Sequence, residues 1–225
     1  ESADDAQFVA ELANKYGLIF ETKREELGQG ASEELARDRR YAFLREVAAK
    51  HDAKIMTAHH ADDVIETIAI NLIRGTGWRG LAVLNNPEIE RPLLGKTKAE
   101  LLAYAKERHL EWREDATNTD TKYLRNHVRQ KLSRLDDQSK ELLGLYRDRQ
   151  VFLSRMVDTE IDTAIQAPYE RHMVIMAPQA VACELLRGIT MRETGGSMTR
   201  PQLERALLAI KTLGPGKSFV MNASY

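Results

Sequence analysis

The segment from Lys54 to Thr67 restricts the fold more than any other, because it passes from an apolar strand through a polar cluster into a helix within fourteen residues. Ile55, Met56 and Ala58 fit a short buried strand. In open parallel sheets, ligands bind beyond the carboxyl ends of the strands, where helix N-termini also point. The junction therefore predicts a reaction site, with His59, His60, Asp62, Asp63 and Glu66 as its polar residues. The helix that follows has apolar residues at three-to-four spacing, namely Val64, Ile65, Ile68, Ala69, Leu72 and Ile73.

Helices and strands are predicted to alternate before residue 75. That order indicates an α/β fold with a parallel sheet and right-handed crossovers. The predicted elements are a helix that ends at Gly17, a strand from Leu18 to Thr22, a helix from a cap at Ser32 to about Lys50, a strand from Lys54 to Ala58 and a helix from Ala61 to Arg74.

The second half of the chain is predicted to be mostly helical. A long amphipathic helix from Asp137 to about Gln166 reads as a connector, so we expect a catalytic domain over residues 1–136 and a connector with a helical substrate-binding domain over residues 137–225. The other predicted elements are an extended segment from Glu90 to Leu94, a helix capped by Thr97 with Glu100, a basic helix from Lys122 to Leu135, strands from His172 to Met176 and from Lys217 to Met221, and helices from Gln179 to Arg192 and from Thr199 to Lys211.

Composition narrows the class of protein. An apolar content of 43% over 225 residues supplies a substantial core, and no apolar run is long enough to cross a bilayer. We expect a soluble, cytoplasmic protein with no membrane partner. The single cysteine, Cys183, excludes an internal disulfide framework and any CxxC metal or cluster site, and it is expected to pack as a small apolar side chain. Because the net charge is −1, a polyanion must be bound by local patches.

The acidic cluster admits several chemistries. Asp63 and Glu66 lie three apart on one helix face, with two histidines just before the first turn. Such a group could ligate a divalent metal directly, hold Mg²⁺ through water beside nucleotide phosphates, or orient an attacking nucleophile. The structural alternative is that Asp62 and Asp63 only complement the helix dipole while a histidine packs in the core.

Two arginine pairs and one glycine-rich segment could meet a ligand. Arg37 and Arg40 share one helix face, where two guanidinium groups can bind phosphate, although helical arginines are more often only solvated. Arg125 and Arg129 lie four apart beside Asn126, a face that suits RNA phosphates or a nucleotide as well as plain solvent. The segment Arg74–Leu81 is either a helix cap with a turn or a loop that touches a ligand.

Together these motifs resemble one family, tRNA(Ile)-lysidine synthetase of the N-type ATP pyrophosphatase or PP-loop superfamily. The motifs are weak singly but specific in order, and the resemblance covers residues 1–135 well. The matching residues are Glu1 to Ala3, Ala36, Arg37, Arg40, Tyr41, Thr57 to Asp63, Glu66, Thr67, Arg74 to Gly77, Gly80, Leu81, Arg91 to Leu94, Trp112, Asp115, Asn118, Asp120, Tyr123, Arg125, Asn126 and Arg129.

The resemblance implies a Rossmann-like, adenine nucleotide alpha hydrolase-like sheet and a two-step ligase. ATP, with Mg²⁺, adenylates the C2 oxygen of the wobble cytidine in an isoleucine tRNA with a CAU anticodon, and the amine of free L-lysine then displaces AMP. A homodimer is compatible with it. The implied catalytic residues are Asp63, His60, Glu66 and Arg129; the nucleotide-binding residues are Arg37, Arg40, Thr57, His59, Arg74 and Gly75; and the substrate-binding residues are Asp115, Asn118, Arg125 and Asn126.

The sequence departs from the family at one motif. The phosphate loop Ser-Gly-Gly-x-Asp-Ser does not occur, nor do two strands expected before Ser2. We therefore expect this polypeptide by itself neither to fold fully nor to consume ATP.

Three alternatives remain. A sister PP-loop enzyme such as a tRNA thiolase fits the fold, although the absence of paired cysteines argues against versions that hold an iron–sulfur cluster or a catalytic cysteine pair. A metal-dependent phosphohydrolase would use His59, His60, Asp62 and Asp63 as ligands. A non-catalytic tRNA-binding fragment would use the basic helix.

Overall fold

The computed structural model describes residues 2–26, 28, 30, 32–113, 124–132, 134–214 and 216–220. The contacts divide the chain into two compact units. The first unit comprises Glu1–Ile70 and Leu84–Lys140, and the second comprises residues 71–83 and 141–225. The boundary predicted after residue 136 is a functional division and stays a prediction.

The first unit is a small parallel sheet surrounded by helices. Strands β1 (Ile55–Met56) and β2 (Ile89–Glu90) pair in parallel, with Ile55 opposite Ile89. Thr57 N–H donates to the Glu90 carbonyl at 2.9 Å and extends the ladder by one bond. The helices are α1 (Ser2–Lys15), α2 (Glu33–Lys50), α3 (Ala61–Ile73), α4 (Lys98–Glu107) and α5 (Leu124–Leu132).

Capping residues set the helix boundaries of this unit as the sequence predicts. The Ser32 hydroxyl accepts the N–H of Leu35 at 3.1 Å at the start of α2. Thr97 and Glu100 form the predicted capping box of α4. Gly17, with φ of +65°, ends α1. The predicted starts of α2 and α4 and the predicted end of α1 are confirmed.

Three predicted extended segments are corrected. Leu18 to Thr22 is irregular rather than a strand, and Leu18 and Ile19 are exposed. A strand requires a paired neighbour, and in the described residues only β1 and β2 pair with each other. Of Glu90 to Leu94, only Glu90 lies in a strand, because Leu94 N–H turns back to the Arg91 carbonyl. Lys217 to Val220 is also irregular, and Met221 lies outside the described residues.

The second unit is helical throughout its regular structure. Residues His172 to Met176, predicted as a strand, form the helix α7, because a short apolar run cannot distinguish the two by periodicity. The predicted long helix and the two later helices are confirmed as helices, and the role of the long helix as a connector stays a prediction. The helices are α6 (Asp137–Ala164, whose first four residues belong to the first unit), α7 (Arg171–Met176), α8 (Gln179–Thr194) and α9 (Arg200–Thr212), with a short 3-10 helix at Trp78–Leu81.

The core of the second unit lies between α7, α8 and α9. Cys183 packs against it, half-buried, and burial raises the pKa of its thiol. No helix in the described part of the chain is both long and apolar enough to span a membrane. The main cluster consists of Val174, Ala182, Leu186, Leu203, Ala206 and Leu207.

Candidate active site

The polar junction lies where β1 leads into α3. The Ala61 N–H donates to the Lys96 carbonyl at 2.8 Å, which holds the start of α3 against the turn after β2. The Asp63 carboxylate accepts the backbone N–H of His60 at 3.0 Å and so caps its own helix. Val64, Ile65 and Ile68 bury the opposite face of α3. The amphipathic pattern thus places Asp63 and Glu66 where the sequence predicted.

Glu66 is buried, with 3% of its surface exposed, and two arginines of α5 bind it. Arg129 donates from Nε at 2.6 Å and from Nη2 at 3.1 Å, and Arg125 donates from Nε at 3.2 Å. The hydrogen bond to Glu66 raises the pKa of Arg129 further, so the guanidinium stays charged. Glu66 therefore acts as the counter-ion that holds both arginines.

Asp63 is the more accessible acid of this face. Its side chain is 16% exposed, and one carboxylate oxygen lies 3.8 Å from Nη2 of Arg125. We call Asp62, Asp63, Glu66, Arg125 and Arg129 the acid–arginine cluster. Its three carboxylates exceed its two guanidinium groups, which leaves one net negative charge at the start of α3.

His60 lies between two aspartates. Its Nε2 is 3.6 Å from the Asp63 carboxylate and its Nδ1 is 3.7 Å from that of Asp62, and both distances are too long for hydrogen bonds. Within the described residues Nδ1 is buried and has no hydrogen-bond partner. Asp62 instead accepts the backbone N–H of Lys98 at 2.7 Å and connects α3 to α4. The His60 ring therefore lies beside Asp63 without a hydrogen bond between the two side chains.

His59 is a partly buried histidine of the site. Burial lowers its pKa, Asp63 opposes the shift, and the charges of Arg91, Arg125 and Arg37 lower the pKa further. The imidazole Nδ1 and the Thr57 hydroxyl are 2.8 Å apart. The environment of His59 therefore favours the neutral imidazole.

Arg91 is the residue of this site that sequence reasoning left without a role. Its Nη1 donates to the carbonyls of Leu84 and Ile89, at 3.2 Å each, and so organises the turn before β2. Its charge acts on His59. The Arg91 to Leu94 motif was the sequence signal that could have identified Arg91. Spacing alone, however, does not show which strand end Arg91 faces.

The remaining predicted residues lie on α2 and at the C-terminal end of α3. Arg37 and Arg40 are exposed on α2, with Arg37 over the Tyr41 ring at 5.6 Å. Gly75, with φ of +70°, caps α3 through its N–H to the Leu72 carbonyl at 3.0 Å, beside the exposed Arg74. This geometry is that of a C-terminal cap, and the nucleotide-binding role predicted for Arg74 and Gly75 stays a prediction.

Several predictions fall on parts of the chain that are not described. Asp115 and Asn118 lie outside the described residues. Asn126 belongs to α5, but its side chain lies outside the described part. Among the residues that are described, no three His, Cys, Asp or Glu side chains are grouped so that they could hold a metal ion.

The chain belongs to the PP-loop domain family, because residues 1–135 match the model of that family. Curated relatives carry one name, tRNA(Ile)-lysidine synthase. The protein of Exiguobacterium sibiricum is 42% identical over 138 residues, which cover 59% of this chain and 33% of that protein. The protein of Geobacter sulfurreducens is 31% identical over 229 residues, which cover 93% of this chain and 46% of the relative.

A third relative extends the match into the helical unit. The tRNA(Ile)-lysidine synthase of a Thermotoga species is 33% identical over 195 residues, covering 81% of this chain and 46% of that protein. The chain thus spans between a third and a half of the length of these relatives. The resemblance drawn from the ordered motifs is confirmed.

Proposed function

We propose that this chain forms part of an ATP-dependent ligase that converts the wobble cytidine of an isoleucine tRNA with a CAU anticodon into lysidine. Membership of the PP-loop family and the shared name of the relatives support a tRNA-modifying enzyme. In the first step the cytidine C2 oxygen attacks the α-phosphorus of ATP and pyrophosphate leaves. In the second step the amine of lysine bonds to C2, the C2–O bond breaks, and AMP leaves with the oxygen.

The division of charge between Glu66 and Asp63 carries this proposal. Glu66 is fully engaged by Arg125 and Arg129, so its charge is compensated. Asp63 is held by a backbone N–H and keeps part of its carboxylate exposed. A partly exposed carboxylate suits a lysine ammonium, and it can accept the proton that the amine releases. His60, whose Nε2 lies 3.6 Å from the Asp63 carboxylate, is placed to support that role.

The arginines near the site support phosphate binding. Arg91, Arg125 and Arg37 lie close enough to His59 for their charges to lower its pKa, and guanidinium groups can bind phosphate. We propose that Arg37, Arg40, Thr57 and His59 meet the phosphates of ATP, with Arg74 and Gly75 at the nucleotide. Mg²⁺ would accompany the phosphates as part of the substrate, held through water near the carboxylates.

The remaining parts of the proposal concern organisation. We propose that the parallel pair β1–β2 belongs to a Rossmann-like sheet, that residues 1–136 act on the nucleotide, and that residues 137–225 bind the tRNA. Asp115, Asn118 and Asn126 are proposed to contact the tRNA or lysine. A cytoplasmic location and a homodimer complete the proposal.

Lysine transfer by an Asp63→Asn variant tests the function. The complete ligase of which this chain is proposed to form part should incorporate radiolabelled lysine into isoleucine tRNA only with ATP and only when the wobble base is cytidine. Asp63→Asn keeps the capping oxygen but removes the charge, so transfer should fall at least about 100-fold, while tRNA binding measured by filter retention persists. Asp162→Asn, an exposed site on α6, is the matched control and should retain wild-type transfer.

Two results would overturn parts of this proposal. If the complete wild-type ligase transfers no lysine, the function is wrong. If Asp63→Asn transfers lysine at the wild-type rate, the role given to Asp63 is wrong. A metal-dependent phosphohydrolase is not favoured, because the described residues offer no group of three metal ligands and the relatives carry another name.

A further inference from the structure

Arg79 is the centre of an ion-pair cluster in the second unit. Its Nε donates to Glu184 Oε2 at 2.9 Å, and its Nη2 lies 2.9 Å from Asp158 Oδ1 and 2.8 Å from Glu184 Oε2. Arg187 binds the same two acids, from Nε to Glu184 at 2.9 Å and from Nη2 to Asp158 at 2.7 Å. We call Arg79, Asp158, Glu184 and Arg187 the Arg79 cluster.

The Arg79 cluster is a closed structural contact rather than a surface for an anion. Its two guanidinium groups are balanced by two carboxylates, and the side chains of Arg79, Glu184 and Arg187 are between 15% and 23% exposed. Burial acts to raise the pKa of Asp158, but hydrogen bonds from Arg187 and Arg79 outweigh it and lower that pKa. Arginines that share two acids in this way have little charge left for phosphate.

Further contacts hold the segment around Arg79. Within residues 71–83, Asn71 Nδ2 donates to the Gly80 carbonyl at 2.6 Å, and the Thr76 hydroxyl donates to the Asn71 carbonyl at 2.7 Å. Arg147 of α6 donates to the Val83 carbonyl at 2.9 Å. The segment that follows α3 is therefore held by hydrogen bonds within it and by contacts with α6 and α8.

This segment is covalently continuous with the candidate active site. The helix α3 carries Asp63 in its first turn, and its last three residues group with the second unit. The chain passes between the units at three places, and the passage after residue 140 also lies inside a helix, α6. Asp158 lies on α6, and Arg79 lies in the segment that follows α3. The contact between Arg79 and Asp158 therefore links that segment to α6.

We propose that Arg79 is a positioning residue for the modification of tRNA, because it fixes the C-terminal end of α3 to the helices α6 and α8. The inference rests on the proposed function and deepens it. Arg79 touches no reacting atom. Its role is to hold the C-terminal end of α3 in place against α6 and α8 while the RNA substrate is bound, so its loss should slow transfer without weakening the binding of small substrates.

Steady-state kinetics of Arg79→Ala and Arg79→Lys test this role. Lysine can contact one carboxylate but cannot bridge two, so both variants should lose kcat for lysine transfer, about tenfold for Arg79→Ala and less for Arg79→Lys. The KM values for ATP and lysine should stay within about twofold. KM changes without kcat only when a mutation removes an interaction that binds the substrate and the transition state equally. Lys23→Ala, which breaks the exposed pair with Glu25 outside the proposed tRNA-binding region, should leave all three constants unchanged. Arg200→Ala, which breaks the exposed pair with Glu204 in the same unit as Arg79, is the control for digestion.

Limited trypsin digestion provides a readout that needs no activity. The Arg74–Gly75 bond is exposed at the end of α3, and its cleavage requires the segment to open locally. Arg79→Ala should be cut there about tenfold faster than the wild type and than Arg200→Ala. Wild-type kcat in both Arg79 variants, or unchanged cleavage at Arg74, would overturn the proposal. A wild-type protein without transfer activity would instead refute the proposed function, and the digestion would still test the anchor.

Discussion

The Glu66 carboxylate accepts two hydrogen bonds from Arg129, a residue 63 positions further along the chain. The acid is buried at 3% exposure, whereas about a third of the Arg129 side chain stays exposed. A buried charge is stable only when it is paired, so this contact joins α5 to α3 next to Asp63. The same contact determines which acid of α3 is left for a substrate.

Replacement of Glu66 by Gln should destabilise the protein. The neutral amide cannot balance the positive charges of Arg125 and Arg129. Both arginines are partly exposed, so water reduces the cost of leaving these charges unpaired. We expect a loss of about 1–3 kcal/mol in the free energy of unfolding. Urea denaturation followed by circular dichroism measures it. Glu204→Gln, in an exposed pair with Arg200, should change stability by no more than about 0.5 kcal/mol. Equal stabilities of the two variants would contradict the structural role of Glu66.

The lowered pKa of His59 predicts a pH dependence of stability. The unfolded chain binds a proton at His59 near pH 6.5, the ordinary value, whereas the folded protein binds it only at lower pH. Stability contributed by neutral His59 is therefore complete above about pH 6.5 and is lost as the pH falls through the folded-state pKa. The imidazole Cε1–H resonance in NMR should titrate below pH 6.5. His59→Gln should remove this part of the pH dependence, and a midpoint above 6.5 would show that the surroundings do not disfavour the charged form.

Local signals predicted most of the helices, and they placed Asp63 and Glu66 on one face of α3. The Thr97 capping box and the period of α3 depend on residues within a few positions of one another, so spacing alone places them. Strands depend on partners elsewhere in the chain. Leu18 to Thr22 has the apolar character of a strand, but no neighbour in the described residues pairs with it.

The pairing of the site charges could not be predicted from spacing. The sequence placed Asp63 and Glu66 on one face and Arg125 and Arg129 on another, which left four pairings open. Burial decides among them, because Glu66 points inward and must be compensated while Asp63 lies at the helix start. Arg91 was missed for a related reason, since its effect on His59 arises only through the fold.

Gly80 should tolerate no side chain. A Cβ at Gly80 would lie 2.5 Å from the Cβ of Thr76, which cannot rotate away. Gly80→Ala should therefore cost about 1–3 kcal/mol in the free energy of unfolding. Gly77→Ala is the matched control, because its Cβ would meet no atom within 4 Å and its φ of −67° suits any residue. Thermal denaturation of the two variants checks this, and a stable Gly80→Ala protein would mean that the turn from 76 to 80 adjusts freely.

Two glycines of the helical unit should respond to alanine in opposite directions. Gly188 of α8 faces α6, where a Cβ would overlap the Cγ2 of Ile161 and lie 3.1 Å from the Cδ1 of Ile165. Ile161 is β-branched and stiff at χ1, so Gly188→Ala should cost about 1–3 kcal/mol in the free energy of unfolding. Gly144 lies inside α6 with open space around its Cα, so Gly144→Ala should stabilise the protein by about 0.5–1 kcal/mol through helix propensity.

Guanidinium denaturation of the two glycine variants, followed at 222 nm, checks both signs in one experiment. Because each change adds the same methyl group to a helix interior, the difference between them isolates the packing of α8 against α6. If Gly188→Ala were as stable as Gly144→Ala, the close approach of these helices would be wrong.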